Sequence, residues 1–258
     1  MMKASFCSNV FSNDEIPGAV KHLKTLGYQG VEFWHQFLAA TDIVKLKKYI
    51  DGIGICASQI CPYFNVTGTE RELKETFLQA EEYVRYARLL DCNLIRVFTG
   101  NVSSREADAK TFDQAVEGLR TICDIGKGLF FVLETHDESL MDTGYATLKL
   151  LGKVKRDNLR VNLQIPLDEG KEDVYESARM LGEYVIHIHA HNWIGGWPNL
   201  TYLDNGDVDF KKFIGILAGK GFDGYISIEH SNHSGKKNPY KVAEHEIEYL
   251  KRVIFEEL

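Results

Sequence analysis

The sequence predicts a single (β/α)8 barrel, the TIM-barrel fold class, as one domain over residues 1–258. Short apolar runs alternate with longer amphipathic stretches along the whole chain, and this alternation indicates a parallel sheet with helical crossovers. Eight such units in 258 residues suit a closed barrel better than an open sheet. No linker, low-complexity segment or internal repeat divides the chain.

The predicted strands are the short apolar runs, and a helical pattern follows each of them. They cover residues 3–8, 30–34, 53–60, 94–98, 129–134, 160–164, 185–191 and 224–229. Two helix starts have clear capping residues: Thr41-Asp42, and Thr69 with Glu72 in a capping box. Later helices are predicted near residues 106–126, 143–154, 171–182, 209–219 and 241–255. We expect helices to end at Gly27, Gly52 and Gly221.

Polar and apolar side chains alternate along the last four predicted strands. Because successive side chains of a strand point to opposite faces, the apolar set faces the helices and the polar set fills the barrel. The polar set includes Glu134, Gln164, His189 and Glu229, near the strand ends where barrel enzymes keep their sites. Buried polar groups need partners, so this pattern indicates a bound metal and a polyol substrate, or else an interior hydrogen-bonded layer.

Composition excludes several classes of function. The net charge of −7 disfavours a nucleic-acid partner. The sequence has no dinucleotide-binding glycine turn after the first strand and no G-x-S-x-G hydrolase motif. Five cysteines without a C-x-x-C pair predict reduced, mostly buried thiols in a cytoplasmic protein. No membrane partner is predicted, because the chain lacks a long apolar window.

Five segments together resemble the sugar phosphate isomerase/epimerase family, whose members are xylose isomerase-like barrels. They are GVEFW at 30–34, VLETH at 132–136, HIHAHN at 187–192, GDVDF at 206–210 and GYISIEH at 224–230. In this order and spacing they cover nearly the whole chain. An endonuclease IV-like repair enzyme shares the barrel, but it needs a basic groove and more metal ligands than this chain offers.

The resemblance implies one divalent metal, Mn²⁺, Mg²⁺ or Co²⁺, with Zn²⁺ as a further candidate. By position, the implied ligands are Glu134, Gln164, His189 and Glu229. Gln164 departs from the family, which has an aspartate on this strand, and an amide oxygen is a neutral ligand. The departure predicts weaker metal retention or, at the extreme, a metal-free site. Asp168 on the following loop is an alternative ligand.

The resemblance also implies an isomerase or epimerase of a sugar or ketose-like substrate, with Glu134 and Glu229 as the bases. A metal that polarises a carbonyl makes the neighbouring C–H acidic and stabilises the enediolate, and carboxylates then move the proton. An inosose-type dehydratase would share the first step and then lose hydroxide. The third interpretation is a non-catalytic sugar-binding barrel that lost its metal through Gln164.

Further candidate substrate contacts lie in the inward phase or near strand ends: Glu32, Trp34, Arg96, His136, His187 and His191. His136 is predicted at the rim, His191 as a substrate contact or else a solvent-facing rim residue, and His187 one layer deeper, where it would orient other groups. Arg96 would either hold a substrate carboxylate or phosphate or form a structural ion pair with Glu32.

Aromatic residues near the strand ends predict a wall for sugar faces or a hydrophobic lid. They are Trp34, Tyr63, Phe64, Trp193 and Trp197. The loop at 192–209 is the longest strand-to-helix connection, so we expect it to serve as a lid or as a contact in a homo-oligomer.

Overall fold

The computed structural model describes residues 1–196, 199–230 and 238–256. Eight strands form the barrel: β1 Lys3–Cys7, β2 Gly30–Trp34, β3 Cys56–Cys61, β4 Leu94–Val97, β5 Phe130–Glu134, β6 Leu159–Gln164, β7 Val185–Ala190 and β10 Tyr225–Ile228. All neighbouring pairs are parallel, and the barrel closes through β1 and β10 in the order β1-β10-β7-β6-β5-β4-β3-β2. This arrangement confirms the predicted fold class.

Helices surround the barrel. They are α1 Ile16–Leu26, α2 His35–Ala39, α3 Ile43–Ile53, α4 Glu70–Leu90, α5 Ala109–Ile125, α6 Gly144–Val154, α7 Val174–Leu181, α8 Phe210–Gly219 and α9 Pro239–Lys251. Helices α5 to α8 lie inside their predicted windows, whereas α9 begins earlier because the Asn238 side chain caps it at Tyr240 N. Within the described part of the chain, no helix is long and apolar enough to cross a membrane.

Local capping explains where several helices begin and end. The capping box is confirmed, since Glu72 accepts from Thr69 N at 2.7 Å and Thr69 Oγ1 accepts from Glu72 N at 3.4 Å. The prediction of a helix end at Gly52 is wrong. Helix α3 continues through that residue and ends at Gly54, whose φ of 76° lies in the left-handed region that glycine tolerates.

Strand register places the polar residues inside the barrel. Glu134 pairs with Asn162, and Gln164 pairs with His189. Hydrogen bonds join Glu32 on β2 to His187 on β7, two strands that are not neighbours, so these side chains meet across the interior. The apolar residues between them, such as Leu163 and Ile188, pack into the core shared with the helices.

The long connection after β7 folds into a small antiparallel hairpin of β8 Asn192–Trp193 and β9 Leu200–Thr201. The Asn192 amide donates to the carbonyl oxygens of Leu203 and Val208, at 3.0 and 2.8 Å. These hydrogen bonds join the start of the loop to its end. Buried Glu246 on α9 accepts from Leu203 N at 3.1 Å. The predicted aromatic contact at Trp197 lies outside the described residues.

Candidate active site

Four side chains converge at the carboxyl ends of β5, β6, β7 and β10. This outer cluster consists of Glu134, Gln164, His189 and Glu229, the set predicted from strand phase. His189 Nδ1 lies 3.2 Å from Glu229 Oε2 and 3.5 Å from Glu134 Oε1. Ligand atoms of these three residues all lie within 4.8 Å of one another. Acceptor atoms from four strands therefore surround one point at the mouth of the barrel.

The terminal amide of Gln164 sits between the two carboxylates of the outer cluster. With its oxygen facing the cluster, Oε1 lies 3.0 Å from His189 Nδ1 and has only acceptors around it. With the amide turned, its nitrogen donates to Glu229 Oε2 at 2.7 Å and to Glu134 Oε1 at 3.0 Å. The first orientation suits a bound cation, and the second cross-links the carboxylates without one.

A second group of buried side chains lies on the other side of the His189 ring. This inner cluster consists of Cys7, Glu32, Cys61 and His187. Glu32 Oε2 lies 3.0 Å from His189 Nε2 and accepts from Cys7 Sγ at 3.2 Å and Cys61 Sγ at 3.5 Å. Its other oxygen, Oε1, bonds His187 Nε2. The Glu32 carboxylate is therefore enclosed by donors.

Charge in the two clusters is strongly coupled. Burial lowers the pKa of His189, but Glu32, Glu229 and Glu134 outweigh it and raise that pKa well above its usual value. Burial raises the pKa of Glu134, yet the positive charges of Arg96 and His189 bring it down to about 2. For Glu32 the effect of burial is likewise outweighed by His189 and His187, and its pKa is well below normal. Without a metal, the site is held together by these opposite charges.

Arg96 is fully buried and pairs with Glu134, so the alternative of a structural ion pair with Glu32 is wrong. Its Nη1 donates to Glu134 Oε2 at 2.9 Å because β4 and β5 are neighbours in the barrel. The guanidinium carbon lies 4.3 Å from the ring centroid of Trp34, 4.4 Å from that of Tyr63 and 4.9 Å from that of Phe98. Three aromatic rings therefore enclose the cation that fixes one oxygen of Glu134.

The other predicted contacts occupy different depths. His136 is exposed, and its ring meets Phe98 edge to face with centroids 5.4 Å apart. His191 is buried and bonds the carbonyl oxygen of Ile165, so the alternative of a solvent-facing rim residue is wrong, and its burial lowers its pKa. Asp168 bonds Arg105 at 2.7 Å on a loop outside the outer cluster, so the alternative ligand is not positioned to bind.

Sequence reasoning missed Cys7, Cys61, Phe98 and Asn9. Of these, Asn9 Nδ2 lies 3.5 Å from Glu229 Oε1. The alternation along β1 and β3 carried the signal for the two cysteines, because Cys7 is the last residue of β1 and Cys61 the last of β3. Both thiols, with those of Cys92 and Cys123, are buried as expected, while Cys56 is exposed.

The outer cluster fits a hard divalent cation. Two carboxylates, an amide oxygen and one imidazole nitrogen are ligands that Mg²⁺, Mn²⁺ and Co²⁺ accept. Metal-binding histidines generally donate their second ring nitrogen to a carboxylate, and Glu32 Oε2 lies 3.0 Å from His189 Nε2. The residues present can therefore hold a metal.

Comparison with known proteins agrees with the barrel fold. The profile of the family described as xylose isomerase-like TIM barrel matches residues 20–253. A 3-dehydroshikimate dehydratase of Bacillus anthracis is 26% identical in an alignment of 202 residues that covers 74% of this chain and 72% of that protein.

Two solved structures share the fold over nearly their whole length. The probable 3-DHS dehydratase AsbF from Bacillus anthracis has a TM-score of 0.81 at 21% identity, covering 97% of this chain and 99% of its own. D-allulose 3-epimerase from Methylomonas sp., in complex with D-allulose, has a TM-score of 0.80 at 16% identity, covering 97% and 96%. Since the profile matches far more than half of the sequence, this chain belongs to the xylose isomerase-like TIM barrel family.

Proposed function

We propose that this protein is a metal-dependent isomerase or epimerase that moves a proton beside the carbonyl of a sugar or ketose-like substrate. The observation that carries the proposal is the outer cluster, where the carboxylates of Glu134, at the end of β5, and Glu229, just after β10, converge on His189 Nδ1. The epimerase among the structural neighbours supports the same class of reaction.

Glu134, Gln164, His189 and Glu229 would hold the metal, with the Gln164 amide oxygen turned towards it. A bound divalent cation supplies Lewis-acid polarisation of a substrate carbonyl, which acidifies the neighbouring C–H. Gln164 contributes no charge, so these four ligands carry two formal negative charges. We therefore expect reversible rather than permanent metal retention.

The two glutamates are the proposed bases, and their surroundings differ. Arg96 binds Glu134 Oε2, which leaves only Oε1 directed at the outer cluster. Glu229 Oε1 has a long contact of 3.5 Å with Asn9 and is less constrained. We assign the first proton abstraction to Glu229. A proton is then returned to the substrate carbon either by the same carboxyl group or by Glu134 after Glu134 has taken up a proton from solvent.

Residues around the mouth would bind the substrate. Trp34, together with Tyr63 and Phe98, would offer ring faces to the apolar side of a sugar. His136 and His191 would donate or accept hydrogen bonds at the hydroxyl groups. The Arg96 guanidinium would meet an anionic substituent only if Glu134 turned away from it.

A dehydratase is the second candidate, because the curated relative at 26% identity is named a 3-dehydroshikimate dehydratase. The chemistry shares its first half with isomerisation. Glu229 removes the proton beside the carbonyl, and the electron pair of that C–H bond then forms a C=C bond as hydroxide leaves the next carbon. The hydroxide takes up the proton that Glu229 removed and departs as water, which restores the carboxylate and leaves a conjugated carbonyl product.

The deciding experiment incubates the Mn²⁺-loaded protein in D₂O with a panel of ketoses, an inosose and 3-dehydroshikimate, followed by NMR and ultraviolet absorbance. Deuterium beside the carbonyl in a new isomer supports the isomerase, and a new conjugated absorbance supports the dehydratase. Asp168→Asn serves as the control for Glu229→Gln, because it removes a carboxylate charge outside the cluster. Ligand binding without metal and without deuterium uptake would instead identify a non-catalytic sugar-binding barrel.

A further inference from the structure

Glu32 contacts the His189 ring at the nitrogen opposite the outer cluster. Its side chain is fully buried, and each of its oxygens meets an imidazole: Oε1 bonds His187 Nε2, and Oε2 lies 3.0 Å from His189 Nε2. Cys7 and Cys61 donate to the same oxygen as His189. At this depth Glu32 does not reach a substrate at the mouth of the barrel.

The position of the ring proton decides whether His189 can bind a cation through Nδ1. A neutral imidazole carries one proton, and its hydrogen-bond partners determine which nitrogen holds it. An ionised carboxylate only accepts hydrogen bonds. Glu32 Oε2 at 3.0 Å is closer to Nε2 than the competing amide nitrogen of Gln59, which lies at 3.5 Å. In the neutral ring, the form that can bind a cation, Nε2 therefore holds the one proton, and the Nδ1 lone pair faces the outer cluster.

We propose that Glu32 is a positioning residue for metal binding: by accepting the Nε2 proton of His189, it keeps Nδ1 available as a ligand atom. The proposal rests on the proposed function only for the presence of a metal. His187 supports it from below by holding the other carboxylate oxygen. Glu32, expected from the sequence to contact substrate or to pair with Arg96, acts instead through His189, and His187 acts through Glu32.

The positioning role requires that residue 32 accept a hydrogen bond from His189 Nε2; it does not require a negative charge. Glu32→Met has no acceptor, so Nε2 loses its partner and either ring nitrogen can take the proton. Glu32→Gln keeps one oxygen for His189 and turns its NH₂ towards His187. His187 tolerates the reversed tautomer, because its Nδ1 has no hydrogen-bond partner among the described residues. The two variants therefore separate the acceptor from the charge.

The experiment measures Mn²⁺ affinity by titration calorimetry for the wild type, Glu32→Met, Glu32→Gln and Ser58→Ala. Ser58 is a matched control, since it is a buried interior residue whose hydroxyl bonds Ser5 and not His189. We expect Glu32→Met to bind Mn²⁺ about 10- to 100-fold more weakly. The Mn²⁺ affinities of Glu32→Gln and Ser58→Ala should stay within about threefold of the wild-type affinity. In both variants an oxygen of residue 32 still accepts the hydrogen bond from His189 Nε2. Thermal unfolding in chelator verifies that each variant is folded.

Equal affinity of Glu32→Met and the wild type would overturn the proposal, and so would equal losses in Glu32→Met and Glu32→Gln. Histidine ¹⁵N NMR of the metal-free protein supplies a test that needs no cation. We expect a low-field Nε2 proton on His189 that disappears in Glu32→Met, and its absence from the wild type would refute the positioning role. A wild type that takes up no Mn²⁺ but shows this proton would contradict the metal-dependent function and would overturn the role of Glu32 in metal binding, leaving Glu32 only as the acceptor that fixes the His189 proton. A wild type that binds Mn²⁺ with the same affinity as Glu32→Met would overturn the positioning role and leave the proposed function standing.

Discussion

The inner and outer clusters share one imidazole ring but differ in how their polar atoms are satisfied. In the inner cluster, the carboxylate of Glu32 is surrounded by ring nitrogens and thiols that donate to it. In the outer cluster, the oxygens of Glu134 and Glu229 converge with the Gln164 amide on His189 Nδ1. On the inner side of the ring both acceptor oxygens of Glu32 have hydrogen-bond donors, whereas the outer side presents mostly acceptors.

This difference separates structural polar groups from functional ones. A buried carboxylate enclosed by donors gains hydrogen bonds that offset its desolvation, so its environment explains its presence. Acceptors that point at one another repel unless a proton, an amide donor or a cation lies between them. Burial alone does not make this distinction, because Glu32, Glu134 and Glu229 are all buried. The direction of the hydrogen bonds identifies the candidate catalytic side.

The largest expected effect comes from neutralising the acceptors of the outer cluster. Glu134→Gln and Glu229→Gln each remove a negative charge and a proposed base, so turnover should fall by about 10²- to 10⁴-fold. Bound metal, measured by plasma mass spectrometry, should fall with it. Either variant keeping full turnover on the true substrate, with normal thermal unfolding, would remove that glutamate from the mechanism.

Among the described ion pairs, Arg96 is the only direct cationic partner of Glu134 besides His189, and substituting it tests how much that pair stabilises the fold. Arg96→Met leaves a buried carboxylate without this partner, and losing one member of a buried pair typically costs about 3–5 kcal/mol. Urea unfolding should therefore show a clear fall in the free energy of unfolding. Arg105→Met, which breaks an exposed pair with Asp168, should cost less than about 1 kcal/mol. Similar losses in both variants would contradict the structural role of the Arg96 ion pair.

Gln164 tests whether the outer cluster is short of negative charge. Gln164→Asp restores a carboxylate on this strand, and we expect Mn²⁺ to bind about tenfold more tightly because affinity follows ligand charge. Gln164→Asn has the same length as the aspartate but no charge, so it separates charge from reach. Titration calorimetry of the two variants gives the comparison. Equal affinities would show that the neutral ligand does not limit metal binding.

The free energy of unfolding of the metal-free protein should be highest at mildly acidic pH and should fall both at lower and at higher pH. The raised pKa of His189 stabilises the fold fully below its unfolded value of about 6.5, and this contribution disappears as pH rises through the folded pKa. Glu134, with a pKa of about 2, contributes fully above its unfolded value of about 4.3 and loses that contribution as pH falls. The site is thus most stabilising between about pH 4.3 and 6.5.

Urea midpoints of chelated protein should therefore fall as the pH rises from about 6 to 9. Glu229→Gln removes one of the carboxylates that raise the pKa of His189, so its midpoint should fall less over the same range. Identical pH profiles for the two proteins would exclude His189 as the source of the loss.

The sequence was sufficient for the barrel and for the membership of the outer cluster. In a closed barrel surrounded by helices, the polar face of each strand must point into the interior. The alternation along β5, β6, β7 and β10 was therefore enough to group four residues: Glu134, Gln164, His189 and Glu229. The partner of Arg96 was not predictable in the same way. Glu32 and Glu134 share its inward phase, and the choice depends on which strands are neighbours and on the rings that enclose the guanidinium.

The inner cluster was harder to foresee for a related reason. Cysteines and a deep histidine are common core residues, so Cys7, Cys61 and His187 carry no distinctive pattern. Their grouping depends on contacts across the barrel between β1, β2, β3 and β7, which local alternation does not specify. Gln164 shows the opposite case, since its departure from the family was visible in the sequence. Its two hydrogen-bonding orientations became visible only in three dimensions.

The smallest expected effect belongs to Asp168, the loop carboxylate that the sequence offered as a substitute ligand. Its carboxylate binds Arg105 at 2.7 Å and has Lys171 at 3.9 Å, so its charge is already compensated on the surface. Asp168→Asn should change the free energy of unfolding by less than about 1 kcal/mol, as is usual for exposed ion pairs. Its Mn²⁺ affinity, measured beside Glu229→Gln, should match the wild type. If the affinity falls instead, the loop must bring Asp168 into the outer cluster when metal binds. Asp168 would then have to be counted among the metal ligands.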